Sequence, residues 1–381
     1  MRARESHPAP RVLPALALLV AGMLSVAVTG LAGEPENAGE SEIPRRPDGK
    51  PDLSGTYDVA TLTPLSRPGR FAEKATFTEE EAKQFAAYWL GNLAKDSEPS
   101  DPNRAAPPEG GTEVAVPEFS GAAGGVGGYN AFYVDIGESA FKLDGEYRTS
   151  IIVDPPNGRM PPMTPEARAE RAEQGKLRRE NDGTAWWLDL DLEVGPYDDP
   201  EIRGVGERCL LGFGSTGGPP MLPVMYNNMK RIVQTDDTVM ILAEMNHDAR
   251  VVRLDSEHVP PELRFWMGDS IGWWEGDTLV VETTNFRDET GFGAGSRNMK
   301  VTERFSRIDG DTLRYRFTVE DPTVWTEPWT GEYPWPETDD RVYEYACHEG
   351  NYSLGGILRG ARLLEREAEA AKSGGPTDSQ D

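Results

Sequence analysis

Short apolar segments separated by polar turns characterise the chain from about residue 226 onward. Segments 232–234, 239–243, 279–286 and 313–319 are predicted strands, and in 313–319 apolar residues occupy every second position, as in a strand with one buried face. Short turns rich in Asp and Gly, such as 235–237, 275–277 and 309–311, separate these segments. Because such turns favour two-strand hairpins, the pattern predicts an antiparallel meander.

The hairpin around Gly310 can be followed residue by residue. If residues 308–310 form a three-residue loop, we expect Glu303 to lie opposite Tyr315 and Phe305 opposite Leu313. The arginines at 304, 314 and 316 then point to the other face.

The same parity, extended to the last apolar segment, places Glu344 and His348 on the inner face with Val342 and Ala346. Carboxylates on an inner face cost several kcal/mol unless they are paired. Several of them together predict a pocket with a polar floor.

A meander removes its exposed edges most simply by closing on itself. We therefore expect a mainly β (α+β) fold, with a lipocalin-like barrel over residues 226–362. The preceding region, 53–225, is expected to hold strands at 53–57 and 148–153, helices at 79–95 and 165–180, and long loops. A capping box at Thr78–Glu81 and Pro165 in a first turn mark the helix starts. Residues 363–381 are predicted to be a disordered acidic tail.

The first residues have the pattern of a secretory signal peptide. Arginines at 2, 4 and 11 precede an apolar run over 12–31, and small residues favour cleavage after Ala32. An uncleaved membrane anchor is the alternative, since the run is nearly long enough to span. We therefore expect a signal peptide at 1–32, a linker at 33–52, and a periplasmic or secreted protein that does not contact a membrane after cleavage.

Net charge and cofactor motifs narrow the range of partners. The formal net charge of −26 argues against nucleic acid and anionic lipid, which leaves a small molecule as the expected partner. No fingerprint of a nicotinamide or flavin site occurs, so no cofactor is expected. A divalent metal held by His247 and His348 with Glu244, Glu349 or Asp248 is an alternative, although the spacing matches no zinc signature. The pattern does not indicate an oligomeric state.

The two cysteines of the chain are Cys209 and Cys347. An even number in an exported protein favours a disulfide between them. Two free thiols are the alternative.

Two histidines lie in dense polar clusters, at 244–250 and 344–351. Imidazole beside carboxylate is the usual material of acid–base chemistry near neutral pH. The predicted catalytic residues are therefore His348, His247, Glu344, Glu303 and Asp248, with both histidines converging on one pocket. The alternatives are a polar hairpin turn at His247 and a buried structural histidine at His348.

Guanidinium, amide and aromatic groups nearby could orient a ligand. The alternative role for the loop residues among them is hydrogen bonding within the loops themselves. The predicted ligand-binding residues are Arg250, Arg208, Asn228, Tyr226, Glu244 and Trp274.

Several specific segments show a common resemblance. They are 148–156, 207–210, 218–221, 226–228, 244–250, 274–286 and 345–351. With these segments the chain resembles a family of exported bacterial proteins of about this length, for which no activity is established. The resemblance covers most of residues 50–362 and implies no particular chemistry.

Three functions are compatible with these features. The first is an enzyme that uses acid–base chemistry (hydrolysis, elimination or isomerisation) on a small, partly apolar organic molecule in the barrel. The second is a non-catalytic protein that binds or carries an apolar ligand. The third is carbohydrate binding through the tryptophans at 325, 329 and 335. The sequence does not identify the substrate.

Overall fold

A curled sheet of ten strands forms the body of the protein. The computed structural model describes residues 42–96, 134–177, 182–190 and 192–373. The strands are β1 (Gly55–Asp58), β5 (Ile152–Asp154), β6 (Met229–Gln234), β7 (Thr238–Ala243), β8 (Ala249–Leu254), β9 (Asp269–Glu275), β10 (Thr278–Thr284), β11 (Lys300–Arg307), β12 (Thr312–Glu320) and β13 (Trp329–Pro336). Their order is β1-β6-β7-β8-β9-β10-β11-β12-β13-β5. All neighbours are antiparallel except β8 and β9, which are parallel. Strands from both sides of residue 226 therefore share one sheet.

The sheet curls into a half-barrel. One antiparallel bridge, Tyr57 to Glu337, joins its first strand to the chain after β13, and Thr338 N donates to Thr56 O at 2.8 Å. The other end of β13 pairs with β5 through Gly331 and Thr330. The expected closure into a lipocalin-like barrel is thus not confirmed, because no continuous ladder joins the two ends of the sheet.

The inner face of the half-barrel is filled by aromatic side chains. Trp335 lies 4.8 Å from Tyr315 and Phe305 lies 5.0 Å from Tyr315, between ring centroids, and all three are fully buried. Trp325 and Trp329 belong to the same core. The tryptophans predicted to stack on sugars are therefore core residues and cannot contact a carbohydrate.

The hairpin of β11 and β12 has the predicted parity but not the predicted register. Phe305 lies opposite Tyr315, and Glu303 lies opposite Phe317. The register is shifted by two residues because the three-residue turn lies one residue later than expected, at 309–311: Ile308 N donates to Thr312 O at 2.9 Å, and Asp309 Oδ1 accepts from Asp311 N at 2.9 Å. A shift of two preserves the faces, so Glu303 is fully buried as expected.

A second, small sheet and two helices precede the main strands. The small sheet contains β2 (Thr76–Phe77), β3 (Lys142–Leu143) and β4 (Glu146–Arg148). Helix α1 is Glu79–Asp96, and the hydrogen bonds of its capping box are present: Thr78 N to Glu81 Oε2 at 2.9 Å and Glu81 N to Thr78 Oγ1 at 3.3 Å. Helix α2 is Pro165–Lys176. The strand predicted at 148–153 is divided between β4 and β5, because Ile151 N and Ile152 N donate to the carbonyls of Pro64 and Leu65.

The C-terminal part departs most from the sequence-based expectation. Residues 338–346 contain no strand, and α3 (Cys347–Gly350) and α4 (Tyr352–Ser373) follow. Ala361 of α4 packs with Trp186 and Trp187, which explains why most of the segment predicted as a disordered tail is helical. Residues 374–381 lie outside the described part.

The segment before β1 is held against the sheet rather than loose. Arg46 Nη1 donates to Gln234 O at 2.8 Å, and Arg45 pairs with Asp277 through both of its terminal nitrogens. The second half of the predicted linker is therefore ordered. Its first half and the predicted signal peptide lie outside the described residues.

Candidate functional site

An apolar cavity of about 470 Å³ opens beside the half-barrel. Its wall consists of residues 61–65, 213–214 and 222–225 together with Ile136 and Ile151. None of these thirteen residues has an ionisable side chain. The cavity volume lies within the usual range for small-molecule sites, and its apolar lining is also typical of them.

Buried tyrosines fix the loop that forms one wall of the cavity. Met221 N donates to Tyr315 Oη at 2.9 Å, and Tyr333 Oη donates to Met221 O at 3.0 Å. Both polar backbone groups of Met221 are thus satisfied from the inner face of the sheet. The next residue, Leu222, begins the cavity wall.

A tight turn at 213–215 completes this wall. Leu222 N donates to Ser215 O at 3.0 Å, and Ser215 Oγ donates to Pro220 O at 2.7 Å. Gly214 has a φ of 70°, and a Cβ atom there would lie 2.4 Å from Val224 Cγ1. Only glycine fits this position, because any side chain would collide with the facing wall.

The tyrosines are themselves held by a buried ion pair. Arg250 binds both carboxylate oxygens of Glu303, with Nη2 at 2.8 Å from Oε1, and Tyr315 Oη donates to the same oxygen at 2.7 Å. Burial raises the pKa of Tyr315 well above its usual value, and the charge of Glu303 adds to this effect. Glu303 and Arg250, predicted as catalytic and ligand-binding, therefore neutralise each other inside the core and do not line the cavity.

Lys230 is a second buried charge near the rim of the half-barrel. Its side chain is fully buried, and among the described residues its Nζ has no hydrogen-bond partner. The carboxylates that act on it electrostatically belong to Glu244, Asp248 and Asp58, and together with Lys230 they form what we call the buried charge cluster. Burial lowers the pKa of Lys230 to about 8, and these carboxylates oppose that fall.

The carboxylates of this cluster brace nearby loops. Glu244 Oε1 accepts from Tyr343 N at 2.9 Å, and Asp248 Oδ2 accepts from Gly212 N at 2.7 Å. Burial raises the pKa of Asp248, whereas the N–H of Gly212 and the charge of Lys230 lower it. Glu244 and Asp248, predicted as site residues, thus hold backbone groups: Asp248 holds Gly212, the residue before the cavity wall at 213–214, and Glu244 holds the C-terminal coil.

Asn228 and Asp135 connect the cavity wall to the cluster. Asn228 Oδ1 accepts from Val224 N at 2.8 Å, and its Nδ2 donates to Val224 O at 2.8 Å and to Asp135 O at 2.6 Å. This buried amide is fully engaged with backbone groups, so it braces the wall and is not free to orient a ligand. Burial raises the pKa of Asp135 to about 6.

The predicted catalytic histidines are both exposed. His247 lies in the turn after β7, and its Nε2 is 3.1 Å from Tyr343 O. His348 is part of α3, and Glu344 lies in the coil before it, so the strand expected to place them on an inner face does not exist. The disulfide and the contact of Tyr343 with Glu244 hold this segment outside the sheet. Neither histidine lines the apolar cavity.

The other predicted ligand-binding residues lie elsewhere. Arg208 donates to Glu201 O at 3.2 Å and lies 3.7 Å from Glu289. Tyr226 packs edge-on against Phe213, with 5.4 Å between ring centroids, and so supports the cavity wall from behind. Trp274 lies on β9 below the ammonium of Lys50. The predicted disulfide is confirmed: Cys209 and Cys347 are bonded, with their Cα atoms 5.7 Å apart.

Sequence reasoning missed Asp135, Lys230 and the third histidine of this region. His258 lies between two carboxylates, with Nδ1 2.8 Å from Asp269 and Nε2 3.4 Å from Glu282. Lys230 could have been found, because it shares the inward parity of Ile232 and Gln234 in β6. Asp135 carries no such signal, since its partners are distant in sequence.

Within the described ranges, no group of three or more His, Cys, Asp or Glu side chains has the geometry to hold a metal ion. None of the described helices is both long and apolar enough to cross a bilayer. No protein-family model, curated protein or solved structure matches the chain. The site must therefore be interpreted from its own geometry.

Proposed function

We propose that this protein binds a small, uncharged, largely apolar molecule in the cavity beside the half-barrel. The observation that carries the proposal is the composition of the cavity wall, in which none of the described residues has an ionisable side chain. An apolar ligand loses no hydrogen bonds to water on entering such a space, whereas a charged ligand would lose its hydration without gaining a partner.

The loop that forms the 222–225 part of the wall is held in shape by buried side chains. It is anchored through Met221 to two buried tyrosines, and through Val224 to Asn228. A preformed wall lowers the conformational cost of binding, because little has to be ordered when the ligand enters. This arrangement favours binding over acid–base catalysis, since the predicted catalytic groups either lie in the core or face solvent.

A location outside the cytoplasm is part of the same proposal. A disulfide between residues 138 positions apart persists most readily in an oxidising environment. Together with the signal-peptide pattern at 1–32, this supports a periplasmic or secreted ligand-binding or carrier protein.

Binding can be measured with an uncharged fluorophore, N-phenyl-1-naphthylamine, whose emission rises in apolar surroundings. We expect saturable enhancement with the wild-type protein. Leu65, which is partly buried in the cavity wall, offers a way to fill the space with Leu65→Trp. This variant should weaken probe binding at least about tenfold, or ~1.4 kcal/mol.

The matched control is Leu263→Trp, the same change at a side chain that is 51% exposed and outside the cavity wall. It should leave probe affinity unchanged. Absence of saturable binding to the wild type, or equal binding by both variants, would remove the cavity from consideration as a ligand site. Native mass spectrometry of the purified protein would then show whether any ligand is retained elsewhere.

A further inference from the structure

Asp135 lies directly behind the cavity wall. Its N–H donates to Met225 O at 2.7 Å, and its carbonyl accepts from Asn228 Nδ2 at 2.6 Å. Asn228 is in turn bonded to both backbone groups of Val224. Because Val224, Met225 and Ile136 all line the cavity, a displacement of Asp135 must move the wall at three adjacent points.

The segment around Asp135 is packed too closely to shift without consequence. Leu62 N donates to Ser139 O at 3.0 Å. At Gly137, where φ is 75°, a Cβ atom would lie 2.8 Å from the backbone carbon of Ala60. Leu62 and Ile136 both line the cavity and pack in one cluster, so residues 134–139 are tied to the wall at Leu62 as well as at Met225.

Burial and two neighbouring carboxylates disfavour ionisation of Asp135. Burial raises its pKa to about 6, and the carboxylates of Asp58 on β1 and Glu244 after β7 contribute in the same direction. The Asn228 side chain and the N–H of Gly137 oppose the rise. Lys230, the cation of the cluster, acts on Asp58 and Glu244. The ionised carboxylate is therefore stabilised less by this site than by water.

We propose that Asp135 is a positioning residue whose charge sets the affinity of the apolar cavity for its ligand. The ligand binds while Asp135 is protonated and the wall is closed, and it is released when the carboxyl group ionises. The proposal rests on the proposed function of this cavity.

The mechanism follows from the hydrogen bonds that link Asp135 to Met225 and Asn228, and from the contact of residues 134–139 with Leu62. An ionised Asp135 gains hydration and moves away from Asp58 and Glu244 if residues 134–137 shift outward. That shift withdraws Ile136 and strains the bond to Met225 O, so it removes apolar contacts from the ligand. A bound ligand stabilises the closed wall and so favours protonation. Proton and ligand binding must then strengthen each other by the same factor.

The test is a titration of the N-phenyl-1-naphthylamine probe between about pH 5 and about pH 8. Wild-type protein should bind at least about fivefold more tightly at the acid end, the lower bound of typical coupling between sites. Asp135→Asn should bind at every pH as tightly as the wild type does at low pH, because the side chain keeps its shape without acquiring charge. Such a gain of affinity near neutral pH cannot arise from misfolding.

Glu138→Gln is the matched control, since Glu138 is an exposed carboxylate three residues away in the same segment. It should retain the wild-type pH profile. Calorimetry in buffers with different ionisation enthalpies gives a second readout: probe binding near pH 6.5 should take up protons with the wild type and none with Asp135→Asn.

The outcomes separate the two proposals. If the wild type binds no probe at any pH, the proposed function fails. If it binds with the same affinity throughout, or if Asp135→Asn keeps the wild-type profile or binds more weakly, the role of Asp135 is overturned. If Asp135→Asn does not fold, Asp58→Asn replaces it, because loss of the repelling charge must shift the midpoint of the profile to lower pH. An unchanged midpoint in that variant also overturns the proposal.

Discussion

At the scale of single residues, two buried charges differ in whether a hydrogen-bonded partner compensates the cost of their burial. Glu303 is fully buried but is matched by Arg250 and by the hydroxyl of Tyr315. Lys230 is equally buried, and no hydrogen-bond acceptor among the described residues reaches its ammonium group. An unmatched buried charge lowers stability, and natural proteins retain such groups mainly where function needs them.

The loss of stability caused by the buried charge can be predicted for Lys230. A fall in its pKa from 10.5 to about 8 corresponds to roughly 3 kcal/mol, at 1.36 kcal/mol per pH unit. Between these two values the unfolded chain binds the extra proton, so the wild-type free energy of unfolding should rise with pH from about 8 to 10.5. Lys230→Met removes the charge, and urea unfolding at about pH 7 should therefore show stabilisation by roughly 2–4 kcal/mol.

The comparison variant for this measurement is Lys83→Met, at an exposed lysine on α1. It should change stability by no more than about 0.5 kcal/mol. The gain from Lys230→Met should also shrink by about pH 10, where the wild-type amine is already neutral when folded. A loss of stability at neutral pH would show that the ammonium is better accommodated than its surroundings indicate.

At the scale of elements, strand parity was predictable and the position of the turn was not. The alternation in β11 and β12 placed Glu303 and Tyr315 correctly on the inner face, because side chains alternate whatever the register. The turn lies one residue later than expected, at 309–311 instead of 308–310, which shifts each pair by two positions. The inner carboxylate could thus be found from sequence, but its partner Arg250 could not, since β8 is far from β11 along the chain.

The same limit explains the errors in the site. Residues 342–348 were predicted as a strand by extending the parity of the preceding segments, yet a disulfide and the bond from Tyr343 N to Glu244 hold them as coil and a short helix. Periodicity records which residues can share a face and does not record which partner is available. Asn228 bonds Val224 only four residues away, but Asp135 reaches Asn228 across 93 residues, so no local pattern reveals the contact.

A prediction at this scale compares neighbouring positions of β11. Glu303→Leu leaves Arg250 buried without its counter-charge, and should lower the free energy of unfolding by about 3–5 kcal/mol. Arg304→Leu, at the next residue but on the outer face, should change it by about 0.5 kcal/mol or less, because its bridge to Glu275 is solvent-exposed. Urea unfolding measures both variants. Equal and small effects would mean that Glu303 is not enclosed.

At the scale of the whole molecule, a few long-range connections hold together a sheet that does not close. Arg307 is the main one at the open corner: it donates to Asp52 O at 2.7 Å and to Tyr57 Oη at 3.3 Å, and it pairs with Glu337. These contacts join β11 to the chain before β1 and after β13. The half-barrel is therefore fixed at its corner by this arginine together with the single bridge from Tyr57 to Glu337, rather than by a continuous ladder of backbone bonds.

The disulfide is the second such connection, and its removal gives the last prediction. It joins Cys209, just before the cavity loop, to Cys347, which precedes α4, across a separation of 138 residues. For a loop of this length the chain-entropy model gives a contribution of about 4–5 kcal/mol at most. The double variant Cys209→Ser/Cys347→Ser should therefore unfold at a clearly lower urea concentration than the oxidised wild type. Its probe affinity should change little, because Gly212 N stays bonded to Asp248 and Met221 stays bonded to Tyr315. Thiol labelling of the unfolded, unreduced wild type provides the control and should detect no free cysteine, whereas two labelled thiols would refute the disulfide. An unchanged urea midpoint in the double variant would show that the other contacts of the C-terminal segment suffice to hold that segment in place.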